Sequence, residues 1–220
     1  MADNAAFTWS VVIPVKVLTQ AKSRLGLLGD GRRAGLALAM AADTVTAAVE
    51  CQEATHVIVI TDDQVAGEAL ARIGALVVPD EPADGLNAAL RHGAAYARER
   101  WPDSGVAALS ADLPALRPAQ LGQALRAAAA WPTAFVADAP GDGTTMYAAG
   151  PAAAFAPAFG IASRARHAAG GAAELDLAGV PGLRRDVDTP EDLRAAAAFG
   201  LGPNTAPIAA DLLRCAPRGR

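Results

Sequence analysis

The chain has 220 residues, 19 basic and 23 acidic, for a formal net charge of −4, and alanine makes up half of a hydrophobic complement of 52%. That length builds a core without disulfide or metal staples, the acidic balance speaks against a general nucleic-acid binder, and aromatics at 5% leave Val, Leu and Ile as the core formers, with Ala where helices pack close to a neighbouring layer. The apolar stretches fall well short of the ~20 residues that a membrane span needs. The start carries Asp3 and no basic leader region, and Cys51 and Cys215 stand far apart with no C-x-x-C partner. The expectation is a soluble cytoplasmic protein with neither membrane nor nucleic acid as partner.

Residues 9–15 (W-S-V-V-I-P-V) form a β-branched apolar run, the pattern of a strand buried on both faces. After a polar loop, Asp30 caps a helix running to about Glu50, with Leu38, Ala42, Val45 and Val49 spaced for one face. Residues 56–61 (H-V-I-V-I-T) predict a second strand, Asp62 and Asp63 precede a helix to Ile73, and residues 75–78 predict a third strand. A helix over 85–100, a fourth strand over 106–109 and a helix over 117–130 follow, the last with Pro118 in its tolerant first turn. This alternation predicts right-handed crossovers and a three-layer α/β/α, mostly parallel, Rossmann-like sheet. Ligands collect at the carboxyl ends of such strands, so the loops after Val15, Ile60, Val78 and Leu109 are the ones to inspect.

From Trp131 the rhythm changes. Residues 133–136 and 145–148 read as strands separated by the turn-rich D-A-P-G-D-G, two Gly- and Ala-rich stretches follow, L-R-R-D-V-D reads as a strand, and Pro190 opens a last helix to about Phe199. The organisation expected is one domain over 1–199, with the later part completing it as an insertion or cap, and a partly disordered tail over 200–220.

Charge is unevenly placed. Residues 1–33 carry five basic and two acidic side chains, and the chain's two lysines, Lys16 and Lys22, both lie there among residues that otherwise favour arginine. Lysine is a compact point charge suited to phosphate oxygens, whereas arginine is a fixed fork. The loop K-V-L-T-Q-A-K-S-R-L lacks the glycines of a P-loop or dinucleotide fingerprint. Lys16, Lys22 and Arg24, with the Ser23 hydroxyl, therefore offer the charge themselves, and a triphosphate fits them.

The fourth strand ends in S-A-D-L-P, which puts Asp112 at the ligand crevice as a candidate magnesium ligand; Mg2+ takes one or two carboxylates and fills its other positions with water and phosphate. Asp186-Val187-Asp188, read as a strand, presents both carboxylates on one face, and one of them completes the site with Asp112, while Thr189 or Asp188 caps the helix at Pro190. D-G-T-T-M (142–146) and F-G-I-A-S (159–163) add amides at Gly143 and Gly160 and hydroxyls at Thr144, Thr145 and Ser163 that suit a small anion, with Arg164 and Arg166 near in sequence. His167 alone carries little meaning, and a surface position is expected for it.

Together, W-S-V-V-I-P-V-K-x-L-x-x-A-K-S-R-L, S-A-D-L-P, G-L-N-A-A-L at 85–90, D-G-T-T-M, F-G-x-x-S and R-R-D-V-D-T-P-E-D-L resemble the guanylyltransferases of coenzyme F-420 biosynthesis, over about Trp9 to Leu193. That family is similar in fold to molybdenum-cofactor and sugar-phosphate nucleotidyltransferases, so the resemblance implies a nucleotide-diphospho-sugar transferase-like domain. It implies condensation of GTP with phosphoenolpyruvate or 2-phospho-L-lactate, giving a GDP-linked product and pyrophosphate, with the product passed to a downstream transferase. Carried over by position, Lys16, Lys22 and Arg24 meet the nucleotide phosphates with Ser23 beside them, Gly85 and Asn87 lie at the nucleoside side, Asp112 and Asp188 hold Mg2+, and Thr145, Gly160 and Ser163 bind the acceptor. Tyr147, where the family commonly has Leu, leaves acceptor preference open; the Ala-rich, Arg-over-Lys composition favours phosphoenolpyruvate. The alternatives are a nucleotidyltransferase acting on molybdopterin or a sugar phosphate, a glycosyltransferase using Asp186-Val187-Asp188 as its D-x-D, and a non-catalytic nucleotide-binding subunit.

Overall fold

The computed structural model describes residues 7–18, 30–81 and 83–215. Seven strands and eight helices lie along them, alternating as far as Ala137. β1 (Trp9–Pro14), β2 (Ala54–Ile60), β3 (Leu76–Val78) and β4 (Gly105–Leu109) are interleaved with α1 (Asp30–Val49), α2 (Gln64–Ile73) and α3 (Leu86–Arg100). α4 (Pro118–Ala128), β5 (Thr133–Ala137), β6 (Thr144–Ala149), α5 (Ser163–Ala169), β7 (Ala173–Glu174), α6 (Pro181–Arg184), α7 (Pro190–Ala197) and α8 (Thr205–Cys215) follow.

The strands form one sheet in the order β3-β2-β1-β4-β6-β5-β7. β1 pairs in parallel with both β2 and β4, and β6 runs antiparallel to β4 and β5. Because side chains alternate across a strand, Val11 and Ile13 join the core under α1, α2 and α4, while Val12 joins the core under α3. Apolar residues of this kind on both faces make a three-layer α/β/α domain. Gly93 lets α3 lie close: a Cβ there would stand 2.5 Å from Val12 Cγ1 and 3.0 Å from Ile60 Cδ1.

The alternating part of the chain follows the expected order, and two later segments differ from it. L-R-R-D-V-D is no strand: α6 ends at Arg184 and an irregular stretch runs to Thr189, held by the N–H of Val187 donating to the carbonyl of Asp112 at 3.1 Å. The stretch read as a tail contains α8, so α7 is not the last helix. Asp43 of α1 accepts from Asn204 N and Nδ2 on Oδ1 and from Thr205 N on Oδ2, at 2.8 to 3.0 Å. That carboxylate satisfies amides that the start of a helix leaves open, and α8 then adds Ala209 to a small core with Leu36, Met40 and Leu193. No helix among the described residues is long and apolar enough to cross a membrane.

Candidate active site

β1 turns to β2 on one side and β4 on the other, and such a reversal of strand order opens a crevice at the carboxyl ends. A cavity of about 790 Å³ lies there. Its wall includes Pro14 to Lys16 at the end of β1, Ser110 to Asp112 after β4, Asp142 to Thr144 at the start of β6, Phe159 to Ile161 with Ser163, and Asp186 and Asp188.

Of the residues singled out from sequence, Lys16, Asp112, Gly160, Ser163 and Asp188 line this cavity. Lys22, Ser23 and Arg24 lie outside the described residues. The segment leading to them is anchored: Asp63 accepts from Leu18 N at 2.9 Å while capping α2 through Ala66 N at 3.0 Å. Those backbone N–H groups, Ala66 first, favour its charged form and lower its pKa.

Gly85, Asn87 and Thr145 are not on the cavity wall. Gly85 is the N-cap of α3 with φ 82. The Asn87 amide is spent on one residue: Nδ2 donates to Phe159 O at 3.0 Å and Oδ1 accepts from Phe159 N at 2.9 Å, tying the start of α3 to the loop before Gly160. Thr145 is fully buried and its Oγ1 has no hydrogen-bond partner among the described residues. Its carbonyl accepts from Ser110 N at 2.9 Å, which sets the start of β6 beside the turn bearing Asp112.

The carboxylates are crowded. Asp186 has its pKa raised to about 7, first by burial and then by repulsion from Asp112, Asp188 and Asp138. Thr189 forms a capping box with Asp192, so the cap of α7 does not draw on Asp188 as side-chain acceptor. Among the described residues no three carboxylates already stand as a closed metal-binding group.

Asp138 was not singled out from sequence. Its Oδ1 accepts from Gly141 N at 2.7 Å and Asp142 N at 3.0 Å, and its Oδ2 from Gly143 N at 2.8 Å, so it folds D-A-P-G-D-G into the turn that reaches the cavity. A Cβ on Gly143 would meet Asp138 Oδ2 at 2.3 Å. The nearby arginines brace backbone rather than face the cavity wall: Arg164 bonds Gly141 O and pairs with Glu174, each at 3.0 Å, and Arg166 donates to Phe159 O at 2.9 Å. His167, expected at the surface, is 2% exposed, because its ring packs among Phe135, Tyr147 and Phe159. Ser163 opens α5, with Ala162 at the cap position in a left-handed conformation, φ 53.

The doubly flanked α/β sheet, with a charged cavity at its strand-order reversal, has the architecture of a nucleotide-handling enzyme, and its family and relatives make it a nucleotidyltransferase. The fold is shared with a protein of Desulfovibrio desulfuricans G20, provisionally named a nucleotide-diphospho-sugar transferase, at a TM-score of 0.70 and 16% identity over 93% of this chain and 95% of that one. The chain belongs to the family described as "Guanylyl transferase CofC like", whose model matches residues 9–205. It is 58% identical to the phosphoenolpyruvate guanylyltransferase of Thermomonospora curvata, over 98% of this chain and 95% of that protein. It is also 58% identical to the enzyme of the same name from Streptomyces avermitilis, over 96% and 98%.

Proposed function

We propose that this enzyme transfers the guanylyl group of GTP to a phosphorylated three-carbon acid, with phosphoenolpyruvate as the preferred acceptor and 2-phospho-L-lactate as the alternative, as a step of coenzyme F-420 biosynthesis. The observation that carries this reading is the cavity on whose wall Lys16, Asp112, Asp186 and Asp188 meet Gly160 and Ser163. The names of the two relatives support guanine and phosphoenolpyruvate. In this reading Lys16, Lys22 and Arg24, with Ser23, hold the nucleotide phosphates, Gly85 and Asn87 shape the nucleoside side, and Gly160 and Ser163 receive the acceptor, with buried Thr145 holding the start of β6 beside the Asp112 turn.

The donor set fits a divalent cation such as Mg2+. Asp112 and Asp188 are hard oxygen donors beside the carboxyl of Asp186, which desolvation first and their charge second keep from ionising readily, and Mg2+ needs only one or two carboxylates, its other positions going to phosphate and water. Bound by Asp112 and Asp188, it would supply neutralising charge to the phosphates.

The acceptor is a phosphate monoester with a second pKa of about 6, so it is mostly dianionic at neutral pH and needs no general base. One of its oxygens forms the new bond to the α-phosphorus, and the bond from that phosphorus to the bridging oxygen breaks, with pyrophosphate leaving. The work of the chain is to bring two anions together and align them, through Lys16 and the cavity's amides and hydroxyls. The buried, neutral His167 is not required as a base.

The test pairs GTP or ATP with phosphoenolpyruvate, 2-phospho-L-lactate or 3-phosphoglycerate, and with a sugar phosphate and molybdopterin as controls, in the presence of Mg2+, following pyrophosphate release and product mass. Release with GTP and phosphoenolpyruvate, and a product of the mass of their condensation, is expected. Release only with a sugar phosphate or molybdopterin would favour a different transferase. The absence of release with every acceptor would favour a nucleotide-binding subunit.

A further inference from the structure

Two hydrogen bonds to one imidazole determine what a hydroxyl on the cavity wall can do. Thr144 lines the cavity and is 7% exposed, and its Oγ1 lies 3.0 Å from His167 Nδ1. On the other side of the ring, His167 Nε2 receives the backbone N–H of Ala158 at 2.8 Å. A backbone N–H only donates, so Nε2 is the unprotonated nitrogen and the proton of the neutral ring resides on Nδ1. Nδ1–H then donates to Thr144 Oγ1. That uses a lone pair of the hydroxyl and leaves its proton to be given elsewhere, with no acceptor for it among the described residues.

The ring is held against turning over. It stacks on Tyr147 with centroids 4.7 Å apart and meets Phe159 edge-on at 5.4 Å and Phe135 at 5.6 Å. Burial first, and the charge of Arg166 second, push its pKa down to about 4, so it is neutral at physiological pH. The Thr144 hydroxyl is therefore an unspent donor on the wall of the cavity, next to Gly143 and across the ring from the Ala158 amide.

We propose that Thr144 donates a hydrogen bond to an anionic oxygen of the acceptor substrate, and that His167, in its Nδ1–H form, is the positioning residue that aims this hydroxyl. The inference rests on the cavity being the site of a phosphorylated acid, as proposed above, and adds Thr144 and His167 to Gly160 and Ser163. His167 also holds Ala158, next to the Phe159 that Asn87 clamps, so one ring sets both the hydroxyl and the loop facing it.

The experiment compares Thr144→Val, which keeps the shape, with Thr144→Ser, which keeps the hydroxyl. Loss of a hydrogen bond to a charged group is expected to raise the acceptor KM roughly ten- to a hundredfold in Thr144→Val, with the GTP KM unchanged, and Thr144→Ser is expected to restore most of it. His167→Gln should raise the acceptor KM in the same direction, with a smaller change in kcat. Pyruvate and inorganic phosphate, as competitive inhibitors, identify the oxygen: the one whose inhibition weakens in Thr144→Val carries the partner group, and unchanged inhibition by both overturns the inference. Nitrogen-15 NMR of the wild-type ring should report a protonated Nδ1 and a bare Nε2, and the opposite tautomer overturns the inference whatever the kinetics. Wild-type turnover with an unchanged acceptor KM in Thr144→Val overturns this inference alone. A wild type that releases no pyrophosphate with any phosphorylated acid overturns the activity reading and the role of Thr144 with it.

Discussion

Val187 donates its backbone N–H to the carbonyl oxygen of Asp112 at 3.1 Å, joining two segments that lie on opposite sides of β5 and β6 in the chain. This bond brings Asp186 and Asp188 to the carboxyl end of β4, where all three carboxylates reach one cavity. Asp112→Asn is expected to lower kcat by roughly a hundredfold or more, about 3 kcal/mol of transition-state stabilisation. Asp188→Asn should act alike, and the double variant should lose less than the sum of the two effects, because both remove parts of one charged unit. Pyrophosphate release at saturating Mg2+ is the measurement; near-normal turnover in Asp112→Asn would sink the metal assignment.

Asn87 has both ends of its amide engaged with Phe159. Because that amide holds the loop before Gly160, Asn87→Ala should lower the melting temperature, at about 1 kcal/mol for each hydrogen bond lost, and raise the acceptor KM as well as the GTP KM. A change confined to the GTP KM would mean instead that Asn87 serves the nucleoside directly.

Gly143 stands where a methyl group would collide with Asp138 Oδ2 at 2.3 Å. Gly143→Ala should therefore open the turn in which Asp138 holds three amides, destabilising the fold by about 1–3 kcal/mol, as overpacking does, and weakening acceptor binding as well. Denaturant unfolding alongside the acceptor KM reads both effects. Unchanged values for the two would show that the turn does not shape the site.

Burial of neutral His167 makes stability depend on pH in a definite direction. Its folded pKa, about 4, lies below the ordinary 6.5. Between those values the unfolded chain holds a proton that the folded chain refuses, so stability falls as the pH drops from 6.5 towards 4. The slope is about 1.4 kcal/mol per pH unit from this residue, and its contribution is whole above 6.5. His167→Gln should lose that slope, whatever its overall stability. Parallel slopes in urea unfolding of the two proteins from pH 4 to 7 would contradict the assignment.

What was legible in the sequence follows from which forces are local. β-branched runs such as V-V-I and V-I-V-I announce buried strands because their side chains leave few other places to go, and Asp112 was visible because it comes three residues after the apolar V-A-A-L of the fourth strand. L-R-R-D-V-D would put Asp186 and Asp188 on one face as a strand, yet its conformation is decided by the hydrogen bond to Asp112 and the short α6 before it, neither of which periodicity can report. α8 was hidden behind a Gly- and Pro-containing approach because its start is satisfied by Asp43, far away in the chain. Asp138 and His167 escaped for a related reason. Each works by holding backbone groups that only the folded chain brings to it, and a lone Asp or His carries no spacing signal of such a role.

The reversed direction of β6 has a practical meaning for engineering. Lys16 and Asp112 come from segments that leave a strand, whereas Asp142 to Thr144 come from a segment that enters one, and the two kinds are anchored by different side chains, Asp63 on one side and Asp138 with His167 on the other. On the proposed reading, the portion that chooses the acid and the portion that grips the triphosphate are separate cassettes meeting at a seam. Exchange of residues 138–145 and 157–167 between relatives should therefore redirect acceptor choice while the grip on the nucleotide is left as it was.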